Sequence, residues 1–493
     1  MKHPLIIFLA LMSSLLLAQD DSLLKTHSKD KLLEDYDLMV SSLKEAHTGL
    51  YWYTSFSEYE KVFKENRDKI YDGMDSYEFF RVLSFVTAAD KEGHSRVSSS
   101  SSDIGNYISQ KGKYLPFGIK TIDKKIYLLN DIGDNKTKGK FLSSIDGVVI
   151  DSIVSKMFDH ISRLSDGFTT SGKYRVIDRF SFAGYYLDFI HIPKKDNASI
   201  TLIDPKTNSK TKITVKLVDR DGLVSIARKT PKKKIEQIEG LYNFEIKSDI
   251  QTAIMTFNDF GYEEFEEEHR SFKTVVDSLF GIIQKREIRN LVIDIRNVRG
   301  GSEGAEDYLF SYLTKTPYEK YKYVETKGLE YSFINYTNYK DDKEELYSML
   351  KEEHYLAKDG RFLRKEGVLS TESPQENPFL GNLYILISGK TYSGGSEFAS
   401  IAKAQSDALF IGEETGGGFY GQTSGLYTYL LLPNSQMEIR IPLLKFSTNF
   451  ESADIPFGRG VIPDHKVTTT FEEYMAEQDV ELEYTLNLIE EGK

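Results

Sequence analysis

The sequence contains no cysteine. That excludes disulfides, a thiol nucleophile, thiolate metal sites and lipidation of an N-terminal cysteine. A chain of 493 residues without such staples must be held together by its hydrophobic core. Tryptophan occurs once and proline 12 times, whereas Tyr and Phe number 31 and 30, a balance that reads as packed α/β domains with an aromatic-lined groove. Positive charge is in deficit. The formal net charge is -12, which argues against nucleic acid as a partner. Long apolar runs are scarce too. Pro4 to Ala18 is the longest, and it falls short of the about 20 residues needed to span a bilayer. With Lys2 and His3 before it and Gln19-Asp20-Asp21 after it, the run reads as a secretory signal over residues 1–18, cut after Ala18. The alternative is an uncleaved anchor helix. The expectation is an exported protein, periplasmic or extracellular, with no integral membrane segment after signal cleavage. No His/carboxylate group has metal-ligand spacing, so neither metal nor other cofactor is expected.

Residues 19–113 carry a helical pattern. Leu32, Leu33, Tyr36, Leu38, Met39 and Leu43 recur at helical spacing, as do Phe79, Val82, Leu83 and Phe85. Ser76 is the expected N-cap of the latter helix, and Ser98 to Asp103 reads as a mobile loop by composition. Residues 114–228 change to short strands at Phe117–Lys120, Ile126–Leu129, Phe141–Gly147 and Ser199–Ile203. Ser144 to Ile150, followed by an apolar helix, resembles the "I-x-G-x-x-V" segment of PDZ domains. Any small β domain is the competing reading. Leu115-Pro116-Phe117-Gly118 is the expected binding loop of a PDZ-like domain. Residues 229–239, opening with Lys229 to Lys234, form a charged linker, read as a solvated hinge.

Residues 240–493 read as an α/β domain. A strand at Ile250–Phe257, an amphipathic helix bearing Phe272, Val275, Val276, Leu279, Ile282 and Ile283, and a buried strand Leu291–Ile295 make a βαβ pattern and predict a parallel sheet. A second buried strand, Leu383–Ile387, leads to a helix from Ser396 to Gln405 and a strand at Ala408–Ile411. Tyr318 to Glu376 is too long for a simple connection and is expected to build its own elements beside the groove.

Thr391-Tyr392-Ser393-Gly394-Gly395 leaves the second buried strand and opens a helix. Open α/β sheets place their sites there. A serine at that turn is lifted clear of the sheet, and the N–H groups after it can stabilise an oxyanion. The competing reading is an N-cap serine beside flexible glycines. Gly389-Lys390-Thr391 mimics the end of a P-loop, but Tyr384 stands where that motif needs glycine. Arg296-Asn297-Val298-Arg299-Gly300-Gly301 leaves the other buried strand, and its glycine pair can bring a backbone N–H to the same pocket. The candidate nucleophile is Ser393, and the candidate oxyanion donors are Gly300, Gly301 and Gly394.

These segments resemble known signatures. Leu291 to Gly301 is similar to the "L-V-I-D-L-R-N-N-x-G-G" of the C-terminal-processing peptidases, and Thr391 to Gly395 to their nucleophile segment. Gly412-Glu413-Glu414-Thr415-Gly416-Gly417-Gly418 resembles "G-E-x-T-x-G", and Gly460-Val461-Ile462-Pro463-Asp464 resembles "G-V-x-P-D". The resemblance covers residues 240–470. It implies a core sheet like that of crotonase and Clp peptidase, and a serine peptidase acting on polypeptide substrates, with possible capture of a chain end.

The sequence departs from the lysine-dyad branch of that group. Gly416-Gly417-Gly418-Phe419 stands where the lysine of "T-F-G-K-G" belongs, and the nearby Lys403 lies on the helix after the nucleophile. Glu92-Gly93-His94-Ser95 resembles the "D-G-H-T" of the tricorn-like branch, which implies His94 as general base, a group that ordinarily titrates near neutral pH. The same resemblance implies a distal carboxylate, Glu451, with Asp454 as its competitor. His47 reads as structural and His465 as a surface residue. Two other readings stay open: a catalytically silent peptide-binding protein of this fold, and a hydrolase of non-peptide esters or amides.

Overall fold

The computed structural model describes residues 23–98, 102–190, 195–230, 232–234, 239–366, 371–452 and 454–492. The expected secretory signal and the middle of the serine run, residues 99–101, lie outside them. Ser102 and Asp103 begin a helix, Ser102–Lys111.

Helices Lys29–Ala46, Phe56–Arg67 and Ser76–Ala88 follow the expected helical pattern. The cap of the third is Asp75, not Ser76. Asp75 accepts from the N–H groups of Tyr77 and Glu78 while Glu78 reaches back to its backbone, so the reciprocal box forms one residue earlier. The apolar faces of these helices share one core with Val324, Leu430, Ile439 and Leu443 from the C-terminal half. Those residues belong to a sheet built around the long strand Glu438–Thr448. Gly421–Leu431 pairs along it, Tyr321–Thr326 pairs with its second half, and Arg96–Ser98 pairs with its first residues. The register Arg96 to Arg440 begins two residues after His94, so strand pairing carries that histidine onto the C-terminal half. The segment 318–376 builds its own elements, as expected, and lends strands Tyr321–Thr326, His354–Leu356 and Phe362–Arg364 to this sheet.

The middle segment is an antiparallel sheet in the order Ile119–Ile122, Lys125–Leu128, Phe141–Ile145, Asn197–Ile203, Lys210–Lys216. Asp146 and Gly147, both at positive φ (49° and 82°), turn Phe141–Ile145 back onto Val148–Val149. The helix Ile150–Phe158 then buries Ile150, Ile153, Val154 and Met157. Leu115 and Phe117, placed in a binding loop from the sequence, are 1% and 0% exposed and belong to this segment's core. The expected hinge is bonded to its surroundings at Thr230 and Lys233. Arg179 donates to the Thr230 carbonyl at 2.5 Å, and Lys233 donates to the Met475 carbonyl at 3.0 Å.

The sheet of residues 240–493 runs His465–Lys466, Leu409–Gly412, Asn382–Ile387, Asn290–Asp294, Thr252–Phe257, Tyr242–Lys247. All neighbours are parallel except the last pair. Every residue of Asn290–Asp294 is buried, because helices cover both faces. Phe272–Lys285 and Gly394–Gln405 pack on one face, and Leu482, Leu486 and Ile489 of the last helix cover the other.

Candidate active site

Asn290–Asp294 and Asn382–Ile387 are paired in parallel, with Asp294 opposite Leu386, so the two chains leave the sheet side by side. The exits are stitched together. Ser388 Oγ donates to the Arg296 carbonyl at 2.6 Å, Thr391 Oγ1 to Ile295 at 3.0 Å, and the Tyr392 N–H to Val298 at 3.0 Å. Gly395 has to be glycine here, since a Cβ would stand 2.5 Å from the Val298 carbonyl oxygen.

The chain enters the helix Gly394–Gln405 through Ser393, which has φ 53° and ψ -125°. That conformation costs a non-glycine residue about 1–3 kcal/mol. Ser393 occupies the N-cap position, yet its side chain makes no capping hydrogen bond. The hydroxyl is therefore not spent on the helix, as the N-cap reading would require. A Cβ on Gly300 would lie 3.8 Å from Ser393 Oγ, and one on Gly394 would lie 3.6 Å from the Gly301 nitrogen. Ser393, Gly300, Gly301 and Gly394 thus surround one small space at the head of a helix, where N–H dipoles favour negative charge.

No lysine occupies the loop after Gly412. Instead, the N–H groups of Gly416 and Gly417 donate to the Thr391 carbonyl at 3.1 and 3.3 Å. Lys403 lies ten residues along the helix from Ser393, roughly 15 Å away at the α-helical rise, and binds Asp464 at 2.5 Å. Lys390, which the sequence offered only as a false P-loop residue, borders a cavity of about 460 Å³ between the middle segment and the core. Burial, with Lys120 and Arg299 nearby, pulls its ammonium down to about 8.

His94 is 6% exposed. Its Nδ1 stands 2.9 Å from Tyr392 Oη, and its ring lies 4.8 Å from the Tyr392 ring and 5.9 Å from that of Tyr427. The N-terminal segment thus reaches Tyr392, the residue before Ser393, 298 positions away in sequence. Burial, reinforced by Arg440 and Arg96, holds the imidazole down to about 3 rather than near neutrality. Tyr392 Oη in turn donates to Asp166 Oδ1 at 3.0 Å. The same carboxylate accepts the N–H groups of Gly93 at 3.0 Å and Gly418 at 3.1 Å. Burial pushes Asp166 up to about 6 despite those donors. Next to it Glu92, bound by Thr423 Oγ1 at 2.8 Å, is driven well above the carboxylate range by burial and by the charges of Asp166 and Asp90.

The remaining candidates fall elsewhere. Glu451 and Asp454 are exposed on the stretch after Thr448, and neither bonds to His94 or Ser393. Ser95 is fully buried, and its Oγ has no hydrogen-bond partner. His47 is buried, bound through Nε2 to Asp90 at 3.0 Å, and accepts the Gly49 N–H at Nδ1, so both its nitrogens serve packing. His465 is half-buried, with Nδ1 3.0 Å from Tyr484 Oη. Sequence reasoning missed Asp166 altogether. Tyr392 was in plain view beside Ser393, but nothing local marks it as a partner of His94. Aromatic side chains do gather nearby: Tyr53 stacks on Trp52 at 5.2 Å and contacts Phe168 and Phe457, each about half exposed.

Among the described residues no helix is long and apolar enough to cross a membrane. Residues 251–467 match the family model for Peptidase family S41. Among solved structures, a point mutant of CPAF is similar at TM-score 0.63 and 13% identity, over 94% of this chain and 98% of that one. Mature CPAF complexed with lactacystin is similar at 0.60 and 13% over the same shares, and mature CPAF at 0.58 and 14% over 94% and 96%. At such identities the likeness concerns the fold. Comparison with curated proteins returns no match. The segment 251–467, which carries both strand exits and the motifs after them, is therefore the part of this chain that matches peptidase family S41.

Proposed function

We propose that this protein is an exported peptidase that cleaves peptide bonds through an acyl-enzyme on Ser393, with His94 as general base. Ser393 Oγ attacks the scissile carbonyl as His94 Nε2 takes its proton. The oxyanion is received by the N–H of Gly394 together with that of Gly300 or Gly301; such a donor is worth roughly 3 kcal/mol in acyl transfer. The imidazolium then gives its proton to the leaving amine, and water, activated by the same nitrogen, hydrolyses the ester. Glu451, the carboxylate expected at the distal position, lies exposed on the stretch after Thr448 and has no step in this scheme. The middle segment, in its PDZ-like reading, offers a chain end of the substrate to the cleft.

The observation that carries the proposal is the meeting of His94 with the residue preceding an uncapped, strained serine. A fluorophosphonate should label Ser393 in the full chain, and His94→Ala should lose that labelling. An unreactive Ser393 would leave a silent peptide binder. Digestion of a peptide library then separates a peptidase from a hydrolase of other esters or amides. Export predicts Gln19 as the first residue of the mature protein, which N-terminal sequencing reads directly.

A further inference from the structure

We infer that Tyr392 and Asp166 are positioning residues that fix His94 in the tautomer leaving Nε2 free to take the Ser393 proton. The inference rests on the reading of His94 as the base and goes beyond it by assigning what orients that base.

The polarity of the chain follows from donor counting. An ionised carboxylate only accepts. Asp166 accepts the N–H of Gly93 at 3.0 Å, the N–H of Gly418 at 3.1 Å and the hydroxyl of Tyr392 at 3.0 Å. Tyr392 has one proton, and it is committed to Asp166. Its oxygen, 2.9 Å from His94 Nδ1, can then only accept. Nδ1 therefore carries the imidazole proton, and Nε2 carries the lone pair. A serine peptidase triad reaches the same state with a carboxylate bonded directly to Nδ1; here a phenol is interposed.

The interposed residue also sets register. Tyr392 precedes Ser393 directly, and its N–H is held by the Val298 carbonyl at 3.0 Å. The nucleophile and the group that orients its base are therefore joined by a single peptide link. On the other side Gly93, next to His94, must lack a side chain, because a Cβ there would stand 2.8 Å from Tyr392 Cζ. The Tyr427 ring stacks near the imidazole at 5.9 Å, with Arg440 over that ring at 3.8 Å. Buried deeply, the phenol resists ionisation and keeps its proton for the relay. The three members come from three segments, so the base is oriented only when the N-terminal helices, the middle segment and the core are docked.

The test uses full-length protein and the rate of fluorophosphonate labelling, which needs no known substrate. Tyr392→Phe should slow labelling by about 100-fold, within the usual range for losing an oriented base. Asp166→Asn added to Tyr392→Phe should cost little more, since both act through one chain. In ¹⁵N NMR of the wild type, assigned by loss of the signal in His94→Gln, Nδ1 should carry the proton, and Tyr392→Phe should give a tautomer mixture. Wild-type labelling by Tyr392→Phe, with His94→Ala silent, would overturn the relay and leave the base in place. Wild-type labelling by His94→Ala would instead remove the base and the relay with it. An Nε2-protonated His94 in the unmodified protein overturns the relay even if a variant fails to fold.

Discussion

Ser393 and Gly300 face each other across the two strand exits, so that a Cβ on the glycine would stand 3.8 Å from the serine Oγ. Ser393 is held there at φ 53°, a backbone conformation that costs a non-glycine residue. The strain can be separated from the chemistry. Ser393→Ala and Ser393→Gly should both abolish peptide hydrolysis. The glycine variant, which adopts positive φ freely, should be the more stable of the two by about 1 kcal/mol. Equal melting temperatures for the two variants would show that this backbone stores no strain.

The acid side of the pH profile should belong to Asp166. His94 is pulled down to about 3 by burial, beyond the working range, while Asp166 is pushed up to about 6. As pH falls through about 6, Asp166 gains a proton, turns from acceptor to donor toward Tyr392, and reverses the tautomer preference of His94. Labelling of Ser393 should therefore decline through about pH 6. Asp166→Asn should be slower throughout and flat across that region; a limb persisting unchanged in that variant rules the assignment out.

Lys403 should be dispensable for chemistry. Its ammonium binds one oxygen of Asp464, and the other oxygen accepts the Phe410 N–H at 2.9 Å. Lys403→Ala should leave the labelling rate within twofold of wild type and cost at most about 1 kcal/mol, the usual worth of such a partly exposed pair. Loss of labelling with an intact fold would restore the lysine branch.

Glu397, one turn into the nucleophile helix, should make the protein less stable in mild alkali. It accepts Gln422 Nε2 at 2.8 Å and the Tyr321 hydroxyl at 3.0 Å, beside Lys320 and Glu306. Burial, opposed by Lys320 and aided by Glu306, pushes it from 4.5 up to about 8. A raised folded-state value means that the unfolded chain ionises first. The stability contributed is full below about pH 4.5 and is lost as pH rises through about 8. Between pH 6.5 and about 8, denaturation midpoints of the wild type should fall relative to those of Glu397→Gln, a difference that removes the shared gain from buried His94, whose unfolded form is still losing its proton near 6.5. Parallel slopes would mean that Glu397 is ionised at neutral pH.

Much of the catalytic half was legible in the sequence. Leu291–Ile295 and Leu383–Ile387 are continuous apolar runs because strands covered on both faces have no solvent side to mark. Their exits carry glycine pairs because two backbones approach a common pocket there. Asp75 was misread as outside the helix because Ser76 is an equally good cap by type, and only Glu78 reaching back to Asp75 decides between them. The antiparallel sheet around Glu438–Thr448 was not foreseen. It gathers strands from residues 96 to 448, and no local pattern records such partners.

What the sequence determined by itself lies in two strand exits and the loop after Gly412: Ser393 and Gly394 after one strand, Gly300 and Gly301 after the other, and glycines where a dyad lysine would stand. Those features depend on neighbours a few residues away, so their pattern is written locally. The tertiary structure alone decided the rest: the pairing of Arg96 with Arg440 that delivers His94, the phenol of Tyr392 between His94 and Asp166, and the exposed position of Glu451. Each of these joins or separates segments 50 to 350 residues apart, roughly, where loop-closure entropy must be offset by the packing of whole elements. The burial that moves His94 to about 3 and Asp166 to about 6 likewise exists only once those elements have closed over them.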